Sequence, residues 1–327
     1  MRREEEATTY TSQALVLTDE QIDPILQRMA DRYAQQLRSP ILHSPSEHGL
    51  NFEEVTFPSL DGVPLEGWFI PAAGSDRLII ANPPMGFTRA GLPTHLEPWK
   101  SIWGPSGNTA EVDFVVDYKI LHDAGYNVLA YDLRNSGLSG AANGGISSSG
   151  VFEWRDVVGS LRYARDRKDT RDMAIALFSR CLGCSSTFHA MTKDPNAFEG
   201  VRCLLGAQPV TPKTISEQLL ALAGVPVDRI DDLEKRIVHR TGIGFAARAP
   251  RTWAKSVCVP TFLYQVHDDV LTKPIDVQTM FDNIPVADKK LHWIRETSAR
   301  WDGYLEFQRR PGPMLDWFER HMPAVHR

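Results

Sequence analysis

Four cysteines occur in this 327-residue chain, and one of them, Cys181, stands where a thiol could attack a carbonyl carbon. In Ala174-Ile175-Ala176-Leu177-Phe178-Ser179-Arg180-Cys181-Leu182-Gly183-Cys184 an apolar run gives way abruptly to small residues. The run reads as a buried strand and the small-residue stretch as a helix start, so Cys181 falls on the corner between them. Small residues two before and two after it, Ser179 and Gly183, let strand and helix approach without a clash. A helix N-terminus favours negative charge and therefore a thiolate at Cys181. Such a group attacks an ester, lactone or thioester and carries the acyl group as a covalent intermediate. Two other readings of the same residues stay open. A free thiol is commonly a buried, inert core residue. Cys181-Leu182-Gly183-Cys184 is also formally C-x-x-C at a helix start, the spacing of a redox pair, although here it lies in mid-chain of a long sequence.

The corner has the architecture of the G-x-S-x-G nucleophile elbow, with Ser179 for the first glycine and Cys181 for the serine. Tyr131-Asp132-Leu133-Arg134-Asn135-Ser136-Gly137-Leu138-Ser139 matches a D-x-R-G-x-G-x-S loop, departing from it at Asn135 and Ser136. On these motifs the chain from about residue 52 resembles the α/β-hydrolase superfamily. It is most similar to the cysteine-nucleophile branch typified by dienelactone hydrolases. It also resembles polyketide transferases of secondary metabolism, which carry a similar Ser-Arg-Cys-Leu-Gly elbow and a Phe/Trp-Asp-Gly-Tyr segment, here Trp301-Asp302-Gly303-Tyr304. The resemblance implies secondary-metabolite acyl groups as substrates and a nucleophile–base–acid triad.

In that family the acid lies just past the strand that begins Val259-Pro260-Thr261, which places it at Asp269, with Asp268 a solvated neighbour. It would orient and charge-stabilise an imidazolium. The family's histidine belongs in the loop after the last strand, yet residues 295–304 contain none and Ala299 stands in its place. Without a base a serine could not be activated, whereas a free thiol is already partly ionised near neutrality. Arg180 and Arg300 are the candidate positive charges beside thiolate and substrate. His267 and His95 are the nearest substitutes for the base, His292 falls inside a strand and reads as core or surface, and His189, His321 and His326 look remote. The oxyanion donors are expected to be the Leu182 N–H and one N–H of the loop Asn82-Pro83-Pro84-Met85-Gly86-Phe87, where proline cannot donate, which leaves Met85, Gly86 or Phe87. The long stretch 88–108 carries Trp99 and Trp103, and Trp99 and Trp301 are expected to wall an apolar acyl pocket, with Tyr304 a further candidate.

These residues need a scaffold, and the hydrophobic pattern supplies one. Residues 52–59 and 63–71 flank Leu60-Asp61-Gly62 and read as an antiparallel entry hairpin. Strands follow at 77–83, 127–133, 173–179, 201–207, 259–266 and 290–294, alternating with helices at 111–124, 151–167, 183–193, 274–283 and 311–321. Alternating α and β with apolar, unalternating strands predicts an α/β fold of the α/β-hydrolase type, a mostly parallel eight-stranded sheet flanked by helices. The stretch 212–255 has its own helical pattern and reads as a cap inserted within a domain spanning 51–327 (the insertion at about 210–255). Residues 1–50 form an extension, loose and polar over 1–17. Thr18-Asp19-Glu20-Gln21 is then a capping box, and Ile22, Ile25, Leu26, Met29, Tyr33 and Leu37 make an apolar stripe on a helix of about 20 residues ending at Ser39-Pro40. That stripe must bury against the main body or a second subunit, so a homodimer is possible.

Composition narrows the function classes. Hydrophobic residues make up 42% and charged residues 24%, with 36 Lys+Arg against 41 Asp+Glu and a net charge of −5. That is a globular chain with no electrostatic footprint for nucleic acid or an anionic membrane. No apolar run reaches the length of a membrane span, and Met1-Arg2-Arg3-Glu4-Glu5-Glu6 lacks a secretory core, so a cytoplasmic location is expected. Four cysteines do not make a disulfide scaffold. The expected partner is a small-molecule substrate, with no cofactor or metal required. Three functions fit: a Cys181-dependent hydrolase or acyltransferase, a non-hydrolytic cyclase or lyase using the same pocket, and a binding protein on an inactive hydrolase fold.

Overall fold

A computed structural model describes residues 17–324. Eight strands form one sheet: β1 (Glu53–Pro58), β2 (Pro64–Ile70), β3 (Arg77–Asn82), β4 (Asn127–Tyr131), β5 (Ala174–Arg180), β6 (Val201–Ala207), β7 (Thr261–Val266) and β8 (Lys289–Ile294). Their order in space is β1-β2-β4-β3-β5-β6-β7-β8. The first two pairings, β1 with β2 and β2 with β4, are antiparallel, and all later ones are parallel. The unalternating strands sit in the middle: every residue of β3, β4 and β7 is buried, because helices cover both faces. These helices are α2 (Val115–Asp123), α3 (Trp154–Asp166), α4 (Leu182–Lys193), α7 (Pro274–Asn283), α8 (Arg300–Arg309) and α9 (Gly312–His321). The sheet thus has the expected fold, its strand ends displaced by a residue or two, while the helices expected from 111 and 151 start at Val115 and Trp154.

The insertion between β6 and β7 folds as α5 (Pro212–Leu222), α6 (Ile230–Thr241) and a short helix, Pro250–Trp253. It settles where the N-terminal stripe goes. Ile22, Leu26 and Ala30 of α1 (Asp19–Ala34) bury against Leu220, Leu233, Ile237 and Phe245 of the insertion. The face that raised a second subunit is therefore covered by the chain itself. Helix α1 stops at Ala34, four residues before the expected end, because the next side chains are engaged elsewhere. Gln36 donates to the Ser136 hydroxyl (2.6 Å), and Arg38 donates to the Gly137 and Ser139 carbonyls (2.9 and 2.7 Å). The expected loose tail lies almost wholly outside the described residues.

Residues 295–304, read from sequence as a loop, hold the start of α8. Its Gly303 is a packing requirement: a Cβ there would lie 2.2 Å from the Gln208 amide nitrogen. Strand β6 ends beside this helix, and Gln208 takes a left-handed backbone (φ 55°) to reach it.

Candidate active site

Strand β5 delivers Cys181 to its carboxyl end, and α4 starts on the next residue. Cys181 has φ 46° and ψ −108°, a backbone region that costs about 1–3 kcal/mol and is held by its surroundings. Its N–H donates to the Ala207 carbonyl (2.7 Å) and its own carbonyl accepts from Ser185 (2.9 Å). Gly183 is needed because a Cβ there would sit 2.5 Å from the Asn82 carbonyl oxygen, so strand β3 and helix α4 touch. Ser179, in the first glycine slot, is not merely small. Its hydroxyl accepts from Asn82 Nδ2 (2.8 Å) and bonds the Thr187 hydroxyl (2.9 Å), which ties β3, β5 and α4 together. Cys181 is 7% exposed and lines a small cavity.

The expected oxyanion donors border that cavity. Leu182 and Met85 line it, Gly86 follows in the same loop, and the N–H groups of all three lack a backbone acceptor. Phe87, the other candidate, donates to the Pro84 carbonyl (3.3 Å) and is spent. The loop is fixed from behind by the Asp132 carboxylate, which accepts from Arg89 N–H (2.6 Å) and Arg89 Nη1 (2.7 Å). Tyr118 adds a hydrogen bond to the Arg89 carbonyl (2.6 Å). Asp132, the acidic residue of the motif after β4, thus anchors the loop that follows β3 through Arg89, while Arg134 pairs with Asp156 and Asp61.

Asp269 stands just beyond β7, and Arg300 fills the space where an imidazole was expected. The Arg300 Nη1 donates to Asp269 Oδ2 at 2.6 Å, with both side chains buried. Asp269 also accepts from the Leu271 N–H (2.9 Å) and Gln265 Nε2 (3.1 Å). Arg300 Nη2 donates to the Gln208 carbonyl and Nε to the Tyr304 hydroxyl (3.2 Å). Gln208 returns a bond to the Arg300 carbonyl and accepts from the Val266 N–H (3.0 Å). The guanidinium is thus fixed on three sides. Burial opposes its charge, yet the Asp269 carboxylate bonded to it keeps its pKa well above the ordinary value. Burial also pushes the Tyr304 phenol well up, against the pull of Arg300, and the neighbouring Cys181 adds to the rise. Tyr304 therefore stays protonated beside the sulfur, linked through Arg300 to Asp269.

Other candidates lie elsewhere. Arg180, expected at the substrate, turns into the core on the opposite side. It pairs with Asp117 and packs on Phe114 and Phe178, because a guanidinium so deeply buried needs a carboxylate and aromatic faces. Trp301 is likewise one layer back. Its indole donates to Thr94 (3.0 Å) and its ring supports Trp103, which with Trp99 does reach a cavity wall. Among the described residues no histidine bonds Cys181 or Asp269. His267 bonds Asp268 (2.7 Å), His95 lies 3.6 Å from Glu111, and His292 3.7 Å from Glu306. His321 bonds Asp288 (3.0 Å). His189, farther along α4, bonds the Gly150 carbonyl (2.9 Å) and stacks on Trp253, and burial lowers its pKa. His326 lies outside the described residues. Cys184 is fully buried, and burial drives its thiol well up. Among the described residues no group of three or more metal-ligating side chains forms, and no helix is long and apolar enough to cross a membrane.

Sequence reasoning missed Gln208 and Tyr33. Gln208 carries no motif, and its role follows from positive φ and the close approach of Gly303. Tyr33 comes from α1 yet lines the nucleophile cavity, anchored by the Ser216 hydroxyl (3.0 Å) and by the Arg248 guanidinium 4.8 Å from its ring centre.

No protein-family model matches the chain, and no curated protein matches it on sequence. Solved structures do match. An esterase of Pyrococcus furiosus is 18% identical, with a TM-score of 0.63 over 88% of this chain and 99% of its own. The α/β hydrolase GrgF of a Penicillium species is 17% identical at TM-score 0.56, over 84% and 99%. A dienelactone hydrolase of Anabaena variabilis is 13% identical at TM-score 0.53, over 84% and 99%. Together with the strand order these likenesses define the architecture: the chain has the α/β-hydrolase fold.

Proposed function

We propose that this chain is a cysteine-dependent acyl-transfer enzyme acting on an ester, lactone or thioester, with polyketide-type acyl groups the class its motifs suggest. The observation that carries the reading is Cys181 on a strained corner, with the free N–H donors of Leu182 and Met85 bordering its cavity and the Tyr304 phenol, bonded to Arg300, as a neighbour. The Cys181 sulfur, as thiolate, forms a bond to the carbonyl carbon, and the carbonyl electron pair moves to oxygen. That oxyanion rests on the N–H groups of Leu182 and of Met85 or Gly86. Collapse of the tetrahedral species breaks the bond to the leaving group, which departs with its electron pair. Tyr304 is the protonated donor placed to supply a proton, and Arg300 neutralises the phenolate that remains. An acceptor thiol then attacks the thioester, its proton passes to the Tyr304 phenolate, and the Cys181 thiolate is expelled.

Arginine stays protonated and cannot draw a proton from water. The Asp269–Arg300 pair therefore favours an acceptor that needs no imidazole, such as a thiol or an already ionised nucleophile, over water. The same pair supports a second reading, non-hydrolytic cyclase or lyase chemistry in this cavity. Rapid mixing with a chromogenic ester separates the two. Acyl transfer predicts a burst of leaving group close to one per chain, followed by a slow phase that speeds up with added thiol. Linear release without a burst, or none, would favour the second.

A further inference from the structure

The nucleophile cavity adjoins a larger one. Tyr33, Met85 and Ile215 belong to the walls of both, so these three side chains stand at the waist between the chamber at Cys181 and the second, wider space. The second space lies between α1, α5 and the short helix Trp99–Trp103. Its walls are largely hydrocarbon and indole: Met29 from α1, Leu37 from the segment just after it, Leu219 from the cap, and Trp99, Ile102 and Trp103 from the stretch after β3. Polar side chains occur at both ends, Ser149 and Ser185 beside the sulfur and Arg32, Gln35 and Gln36 in the second space, yet the exposed lining of both is mostly apolar.

A largely apolar cavity that adjoins the chamber of a carbonyl-attacking thiol is matched to an apolar chain attached to that carbonyl. We propose that the α1-roofed chamber is the binding site for the extended apolar acyl chain of the substrate, so that the enzyme selects long acyl groups over short ones. This rests on the acyl-transfer reading for the position of the carbonyl, but binding can be measured without chemistry. The carbonyl would lie against the Leu182, Met85 and Gly86 donors, and the chain would pass the waist into the chamber. The N-terminal extension thereby becomes part of the substrate site, the role its burial against the cap prepares.

The test uses acetyl, hexanoyl and decanoyl thioesters of N-acetylcysteamine, titrated calorimetrically into the full chain carrying Cys181→Ala. Burial of each methylene predicts that Kd falls about two- to fourfold per carbon until the chamber is full. Leu219→Trp, which fills the chamber from the cap side, should weaken decanoyl binding at least about tenfold relative to acetyl. Ile102→Trp fills it from the opposite wall and serves if the first variant does not fold. Equal Kd for acetyl and decanoyl probes, or no change in their ratio in a folded filling variant, overturns the inference. Chain-length-dependent binding without any acyl-enzyme in the unsubstituted chain would instead keep the chamber and reject the acyl-transfer reading.

Discussion

Cys181→Ala should lower kcat/KM by at least about a thousandfold, ~4 kcal/mol of barrier, and abolish the burst. The side chain is small and nearly enclosed, so stability should change little beside that loss. Cys181→Ser sharpens the point. In a site with an imidazole a serine retains a path to activation, because the ring takes its proton. Here the groups near the sulfur are Tyr304, held protonated by burial, and Arg300, held charged by its neighbours. Neither accepts the hydroxyl proton, so the serine variant should be as inactive as the alanine one. Steady-state kinetics on both variants checks this. Substantial turnover by Cys181→Ser would show a base that the site geometry does not contain.

Arg300→Met should destabilise the fold by about 3–5 kcal/mol, since it leaves the Asp269 carboxylate buried without its cation. The loss is large against a total of roughly 5–15 kcal/mol for a whole domain. It also releases Tyr304 and the Gln208 carbonyl, which Arg300 now holds, so activity should fall with stability. The double variant Arg300→Met/Asp269→Leu should recover much of the stability and none of the activity, because it removes both charges and keeps the volume. Urea denaturation of the two variants and the parent gives the comparison. Equal stability of the single variant and the parent would mean that the pair contributes nothing.

Local chemistry made much of this architecture readable in advance. The β3 run Arg77-Leu78-Ile79-Ile80-Ala81-Asn82 is apolar without alternation because both of its faces are covered, and that pattern is visible before any folding. The corner at Cys181 is legible for the same reason: strand, small residues and helix start are adjacent in sequence. Helix α8 was not. Its first turn carries no capping side chain, and Gly303 looks like a breaker until Gln208 is seen pressed against it. The substitution of Arg300 for the expected imidazole was half visible, since Ala299 advertised the gap. The pairing with Asp269 exists only once β7 and β8 lie side by side and bring residues 31 apart together. Arg180 illustrates the reverse error. Adjacency to the nucleophile suggested a substrate contact, but consecutive strand residues point to opposite faces, and its face holds Asp117.

Intact-mass measurement after mixing the chain with an activated decanoyl thioester, followed by peptide mapping, tests the central claim most directly. The account predicts one decanoyl group per chain, located on Cys181, absent from the Cys181→Ala variant and removed by added thiol. Turnover of such substrates with no adduct on Cys181, or an adduct of equal yield on the alanine variant, would contradict it.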